Sequence, residues 1–314
     1  MNKRIIRAIN QSLEKLDTSS MTPSQISIVK KRLSEELDWF DADPGRSSCL
    51  QLLSDLTSKI RSAGVVLSPG YGYLTDSFIF YLAKIHSVNP LEWDLPFSRF
   101  TRSFKNGCTI PVEAGTGVLE IAREVLCNRD EFIIEKEPGV FEITFLDGEE
   151  LINVTIRIYQ YGVLDRFNHT LKKGWRKLDN TSLRLFRRSS TDETIWFESD
   201  KMREWLFEFE PESMSDLCLL NAIYYPGRIV LFDEINKRKH SQELIPSTGN
   251  SQADSILSES YGIIVYQEQL LLLTEIGHPV SAEFKELAVK GHTIARTMIS
   301  IESIVVKKKT TTLK

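Results

Sequence analysis

The chain has 314 residues, of which 41% are apolar and 26% are charged. This composition supplies enough core for one large or two ordinary domains, and it excludes disordered and collagen-like proteins. The net charge of −4 excludes a general attraction for nucleic acid, so any such binding would need positive charge concentrated in one part of the chain.

No segment contains the roughly 20 consecutive apolar residues that a membrane helix requires. The first residues also lack the apolar stretch of a secretory signal. The four cysteines, Cys49, Cys108, Cys127 and Cys218, form no C-x-x-C pair. We therefore expect a cytoplasmic protein that makes no membrane contact and has neither a disulfide framework nor a structural zinc site.

Two amphipathic helices are predicted near the start of the chain. We expect the first ordered element to begin at Thr22, which can form a capping box with Gln25. Apolar residues then recur at helical spacing as far as Leu37. After a break at residues 43–45, a second apolar stripe runs on to Ile60. Each of these helices can bury one face.

In the segments that follow, the spacing of the apolar residues differs from one segment to the next. Residues 65–67 predict a short strand, residues 68–72 a glycine turn, and residues 78–83 a helix. From Phe132 to Tyr159 apolar residues alternate with polar ones, which predicts an antiparallel meander with one packed face. Further along, Met202, Trp205, Leu206 and Phe209 fall on one stripe of a helix.

Positive charge is concentrated between residues 161 and 190. This stretch holds eight lysines and arginines against two acids, whereas residues 191–220 hold nine acids. The eight cations are Arg166, Lys172, Lys173, Arg176, Lys177, Arg184, Arg187 and Arg188. Aromatic residues lie among them, so the stretch can follow a phosphate backbone and stack on bases. A solvated surface would show the same pattern, and both interpretations stay open.

One segment of eleven residues carries a family resemblance. Residues 259–269 read E-S-Y-G-I-I-V-Y-Q-E-Q and resemble the E-x-Y-G-[VI]-I-V-Y-Q-E-Q signature in the fingers of the bacterial DNA polymerase III alpha subunit, the C family. Similar segments follow the family's order: residues 32–37 resemble R-L-x-x-E-L, residues 67–72 resemble V-G-P-G-R-G, residues 95–100 resemble L-L-F-E-R-F, and residues 197–202 resemble L-E-S-x-G-M.

The resemblance implies an α+β fold with a polymerase beta-like nucleotidyltransferase palm and mostly helical fingers. We expect an N-terminal extension at residues 1–26, a palm-like domain at 27–177, a fingers-like domain at 178–300 and a basic tail at 301–314. The partners that it implies are DNA and other replication proteins.

The family's catalytic acids are largely replaced in this chain. They lie in a P-D-x-D-x-D-F strand, and the equivalent residues 111–117 place Val112, Ala114 and Thr116 at the acidic positions. Glu113 is also a candidate catalytic acid, but it has the alternate parity of the strand and could serve only after a one-residue slip of the strand. The family's third acid is matched by Asp165, which makes Asp165 the remaining candidate for catalysis and metal binding. Mg²⁺ is the cofactor that the resemblance implies if the chain is active.

The family's phosphate-binding loop is also altered. Gly70, Gly72 and Ser77 match the nucleotide-binding G-R-G-S-x-x-G-S pattern, but Tyr71 replaces its arginine. Asp76 adds a negative charge where a phosphate would bind. The sequence therefore favours a degenerate polymerase relative that has lost its activity and acts as a DNA-binding or interaction module. The alternative is an active nucleotidyltransferase with a reduced carboxylate set or one that a partner completes.

Overall fold

The computed structural model describes residues 3–16, 21–105, 107–127, 132–147, 150–167, 178–280 and 296–303. It divides the chain into two compact units, Met1–Lys172 and Lys173–Lys314. The described residues form α-helices and one four-stranded sheet, which confirms the predicted α+β class. None of the described helices combines the length and the apolar character that are needed to cross a membrane.

The first unit packs helices against one face of the sheet. Its helices are α1 (Lys3–Leu13), α2 (Pro23–Asp41), α3 (Pro44–Ser62), α4 (Phe78–Leu82), α5 (Phe97–Ser103) and α6 (Val118–Leu126). Its strands are β1 (Thr109–Ala114), β2 (Phe132–Glu137), β3 (Val140–Asp147) and β4 (Glu150–Gln160). The sheet order is β1-β4-β3-β2, with β1 parallel to β4 and the other pairs antiparallel.

Local signals in the sequence determine several of these elements. The predicted capping box between Thr22 and Gln25 forms and opens α2. The stripe from Cys49 to Ile60 is buried along α3. The alternation between Phe132 and Tyr159 becomes the meander β2-β3-β4, in which Phe141, Ile143, Val154, Ile156 and Ile158 face the core.

Two predictions about the first unit are wrong. The first ordered element is α1 rather than a helix at Thr22, and α1 is held by Ile5 and Ile9, which are buried one helical turn apart. Residues 65–67 form no strand, because only Leu67 makes an isolated bridge, to Ala114. Pro69 lacks an N–H group and the chain turns at Gly70, so the pairing ends there.

The second unit is helical. Its helices are α7 (Asn180–Arg187), α8 (Asp200–Phe209), α9 (Met214–Ile223), α10 (Phe232–Lys239), α11 (Ser251–Leu257) and α12 (Gln267–Glu275), and residues 296–303 are also helical. The predicted stripe of α8, from Met202 to Phe209, is buried. It packs in a core with α9, in which every residue from Asp216 to Ile223 is buried.

Candidate functional site

Strand β1 carries two of the positions that the resemblance equates with the family's catalytic acids. Val112 and Ala114 face the hydrophobic core, with exposed fractions of 5% and 0%. Glu113 lies on the opposite face of the sheet and is half-buried, as the period of two predicts. These two positions therefore contribute apolar packing, and the one acid of the strand lies on the other side of the sheet.

Asp165 lies beside the end of β1. It belongs to a 3-10 helix, Gly162–Phe167, that follows β4. Since β4 is parallel to β1, with Gln160 opposite Ala114, both strands end at the same edge of the sheet. The Asp165 carboxylate accepts hydrogen bonds from the backbone N–H of Thr116 at 2.9 Å and from its hydroxyl at 2.5 Å. The last acidic position of the P-D-x-D-x-D-F pattern, as the resemblance places it, thus holds a threonine that binds Asp165.

Gly115 is required by this contact. A Cβ atom at Gly115 would lie 2.2 Å from Oδ1 of Asp165, so any larger residue would displace the carboxylate.

Among the residues that the structure describes, no group of three or more His, Cys, Asp or Glu is arranged to hold a metal ion. Asp165 and Glu113 as catalytic residues, and Asp165 as a metal ligand, stay predictions.

The start of α4 is bound by a carboxylate of the same chain. Glu36 accepts hydrogen bonds from the backbone N–H groups of Phe78 at 2.8 Å and Ile79 at 2.9 Å, and from the Ser77 hydroxyl at 2.7 Å. Both Glu36 and Ser77 are fully buried. The N–H groups that could have received a phosphate are therefore already satisfied. Gly70, Gly72 and Ser77 as nucleotide-binding residues stay predictions.

Buried ion pairs support this cap. Arg32 pairs with Glu36 at 2.6 Å and also donates to the carbonyls of Asp76 and, at 3.1 Å, Leu95. Burial raises the pKa of Glu36, while Arg32 and the N–H donors act in the opposite direction. Asp76, interpreted from the sequence as a charge that repels phosphate, is buried and pairs with Arg99 at 3.0 Å. This cap was not predicted from the sequence. The spacing of four between Arg32 and Glu36 would have indicated their ion pair on one face of α2.

An open pocket lies between the 68–72 loop and β1. Its lining includes Gly70, Tyr71, His86, Pro111 and Glu113. Gly70 adopts a φ of +152°, and a Cβ atom there would lie 2.6 Å from Thr75. Burial lowers the pKa of His86 to about 3, so its ring is neutral at physiological pH.

The predicted nucleic-acid residues are only partly described. Arg166 is exposed in the first unit, and Arg184, Arg187 and Arg188 are exposed in the second. Arg187 donates to the carbonyl of Pro211 at 2.7 Å. Lys172, Lys173, Arg176 and Lys177 lie outside the described residues.

The signature segment 259–269 forms a hydrogen-bonded network. Gln269 accepts from the N–H groups of Val265 at 2.9 Å and Tyr266 at 3.0 Å, and it donates to the Ser260 hydroxyl at 2.6 Å. The Tyr261 hydroxyl donates to Asp216 at 3.1 Å. Gln269 and Tyr261 thus hydrogen-bond to other groups of their own unit and help to stabilise it.

The chain matches two family models. Residues 171–283 match the model described as the bacterial DNA polymerase III alpha subunit finger domain, and residues 4–107 match the one described as the bacterial DNA polymerase III alpha NTPase domain. Together the two segments cover more than half of the chain.

Curated relatives carry the same name. The DNA polymerase III subunit alpha of Xylella fastidiosa is 38% identical over 96 residues, which are 29% of this chain and 8% of that protein. The one from Aquifex aeolicus is 34% identical over 95 residues, or 30% of this chain and 8% of that protein. The subunit of Halalkalibacterium halodurans is 25% identical over 177 residues, which are 55% of this chain and 16% of that protein.

The alignments therefore cover far less than two-thirds of each of these relatives. The two family models describe domains of the same polymerase subunit, and the curated relatives carry its name. Both findings agree with the resemblance that residues 259–269 carry. The chain is a relative of the bacterial DNA polymerase III alpha subunit.

Proposed function

We propose that this chain acts in DNA replication as a polymerase III alpha-like module that binds DNA and transfers no nucleotides on its own. In this proposal residues 27–177 are a palm-like domain of the polymerase beta type, and residues 178–300 are a fingers-like domain. Other replication proteins are its expected partners.

The burial of Val112 and Ala114 carries the proposal. Two-metal nucleotidyl transfer needs several carboxylates around a pair of Mg²⁺ ions. Two of the equivalent positions on β1 hold apolar side chains that pack into the core, and the third holds Thr116, whose N–H and hydroxyl bind Asp165. The strand has kept its packing while its acids have been replaced.

Exposed arginines support the binding role. Arg166, Arg184 and Arg188 are exposed, and Arg187 is exposed as well although it contacts the Pro211 carbonyl and Glu212. Arginine is suited to phosphate because its planar fork can donate two parallel hydrogen bonds. Four further cations lie between residues 172 and 177 in the sequence.

A second candidate function is nucleotidyl transfer with acids from a partner chain. Its support is the place of Asp165 at the edge where β1 and β4 end, beside the residues equivalent to the family's acids. One acid of a metal site would then already stand in position.

Primer extension distinguishes the two candidates. The purified chain is incubated with a primed template, nucleotides and Mg²⁺ or Mn²⁺, beside an Asp165→Asn variant. We expect no incorporation from either protein. Incorporation by the wild type that Asp165→Asn abolishes would overturn the loss of catalysis and support a functional metal site.

Binding to the same primed DNA tests the module itself. We expect affinity that falls steeply with salt, with a slope that decreases by about 0.9 for each phosphate contact removed. Neutralising Lys172, Lys173, Arg176 and Lys177 is expected to reduce both affinity and slope. A matched variant neutralises exposed Lys30, Lys31, Lys84 and Lys105 and should change neither. Absence of DNA binding by the wild type would contradict the proposal.

A further inference from the structure

Three tyrosine rings lie in a row in the first unit. The rings of Tyr159 and Tyr161 are parallel to within 5°, with centroids 6.2 Å apart. The rings of Tyr71 and Tyr159 are parallel to within 18°, with centroids 6.4 Å apart. We name these three residues the tyrosine row. Two of them come from the end of β4 and its continuation, and the third comes from the loop before α4.

The row lies on the side of the sheet that faces away from the core. Tyr159 is opposite Glu113 in the β1-β4 register, and both alternate with side chains that are buried in the core. Tyr71 is 47% exposed and Tyr161 is 43% exposed. Tyrosine rings with this exposure offer flat apolar faces on which another planar group can stack.

The open pocket adjoins the row. Tyr71 and Glu113 both line it, so one end of the row opens into a concavity with a carboxylate in its wall. A planar ligand that stacks on the row would lie next to this concavity, and nucleobases have the aromatic face that such stacking needs.

Positive charge accompanies the row. Arg157 lies two residues before Tyr159, on the same side of β4, and Arg166 is exposed five residues beyond Tyr161. Within the described part of the chain, Arg157 has no carboxylate partner. A guanidinium group on the side of the sheet that carries the rings, with a second one five residues along the chain, matches a strand that carries a phosphate on every base.

We infer that the tyrosine row is a stacking platform for unpaired bases of single-stranded DNA. The inference rests on the proposed function in taking DNA as the ligand, but it assigns residues other than the cations between positions 172 and 188. A duplex keeps its bases stacked inside, so only unpaired bases can reach the rings. The row therefore gives the chain a preference for single strands that phosphate contacts alone do not supply.

Three probes of equal length test the platform on the full chain. They are a fluorescein-labelled oligothymidine, an abasic oligonucleotide with the same backbone, and a duplex. We expect oligothymidine to bind more tightly than the abasic probe. The double variant Tyr71→Ala/Tyr159→Ala should lose about tenfold or more in affinity for oligothymidine, since stacking contributes 1–3 kcal/mol per base. Its affinity for the abasic probe should stay within about twofold of the wild type, because stacking supplies none of that binding.

Conservative and remote variants complete the test. Tyr71→Phe/Tyr159→Phe keeps the rings and should bind oligothymidine like the wild type. Tyr225→Ala removes a ring that is 49% exposed in the second unit and should have no effect. A thermal unfolding midpoint equal to that of the wild type shows that the alanine variant is folded.

The outcomes separate this inference from the proposed function. Equal affinity of the wild type for oligothymidine and the abasic probe, or oligothymidine binding that the alanine variant retains, would overturn the platform while DNA binding stands. Binding to none of the three probes would contradict the proposed function as well.

Discussion

The signature segment 259–269 lies in the region of the second unit that matches the finger-domain model, whereas strand β1 lies between the two matched regions of the chain. Gln269 and Tyr261 bind backbone and side-chain groups of their own unit. On β1, Val112 and Ala114 pack into the core at positions where the resemblance places the family's metal-binding acids.

This difference shows which motif residues a fold needs. A buried amide such as Gln269 satisfies backbone N–H groups, and losing it leaves them without a partner, which costs stability. An acid that serves only a metal ion stabilises no other part of the fold. Its replacement by an apolar residue on a core-facing position can even improve packing.

The largest expected effect comes from restoring the acids. Val112→Asp with Ala114→Asp would bury two carboxylates in the core, and we expect a loss of more than about 4 kcal/mol in the free energy of unfolding or failure to fold. Chemical denaturation checks this. Thr109→Asp, on the exposed start of β1, is the matched control and should change it by less than about 0.5 kcal/mol. A folded double variant that binds Mn²⁺ would show that these positions face a metal site.

The second test breaks the hydrogen-bond network of the signature segment 259–269. Gln269→Ala removes the acceptor for the N–H groups of Val265 and Tyr266, and we expect the free energy of unfolding to fall by about 3 kcal/mol. Urea denaturation followed by tryptophan fluorescence measures it. Gln252→Ala, an exposed glutamine on α11, should change the midpoint little. Equal small effects of the two substitutions would mean that the signature is not kept for stability.

The third test concerns the contact between Gly115 and Asp165. Gly115→Ala is expected to cost about 2 kcal/mol, because its Cβ atom would overlap the carboxylate. Adding Asp165→Ala removes the overlap and should recover most of that loss. A double-mutant cycle of unfolding free energies gives the coupling. Additive effects would show that the two residues do not touch.

The smallest effect is a pH dependence from His86. Its folded pKa of about 3 lies below the ordinary value of 6.5, so the unfolded chain takes up a proton first as the pH falls. The contribution of His86 is fully present above pH 6.5 and declines below it, by about 1 kcal/mol between pH 6.5 and 5.5. His86→Gln should remove that part of the slope in unfolding free energies measured across this range. An unchanged slope would indicate that His86 becomes protonated in the folded chain.

Local patterns predicted most elements. The capping box at Thr22, the stripe on α3 and the alternation in β2-β3-β4 each depend on neighbours within a few residues, so the sequence displays them directly. The strand expected at residues 65–67 failed because three apolar residues cannot indicate whether a partner strand is long enough to pair. α1 was missed although Ile5 and Ile9 have helical spacing.

The candidate site was predictable only in part. The residues Val112, Ala114 and Thr116, at positions where the resemblance implies acids, can be read from the sequence, as can the parity of Glu113. That Thr116 binds Asp165 follows from the parallel pairing of β1 with β4, across 49 positions of the chain. No pattern of period two or 3.6 reports such a pairing.

The sequence by itself determined the class of most elements, the segregation of positive charge and the resemblance to the polymerase subunit. Only the tertiary structure decided that Glu36 caps α4 from 41 positions away, and that Tyr71, Tyr159 and Tyr161 form one row. The physical reason is range: helix caps and amphipathic stripes are local in the chain, whereas a buried carboxylate or a row of rings exists only where distant segments pack together.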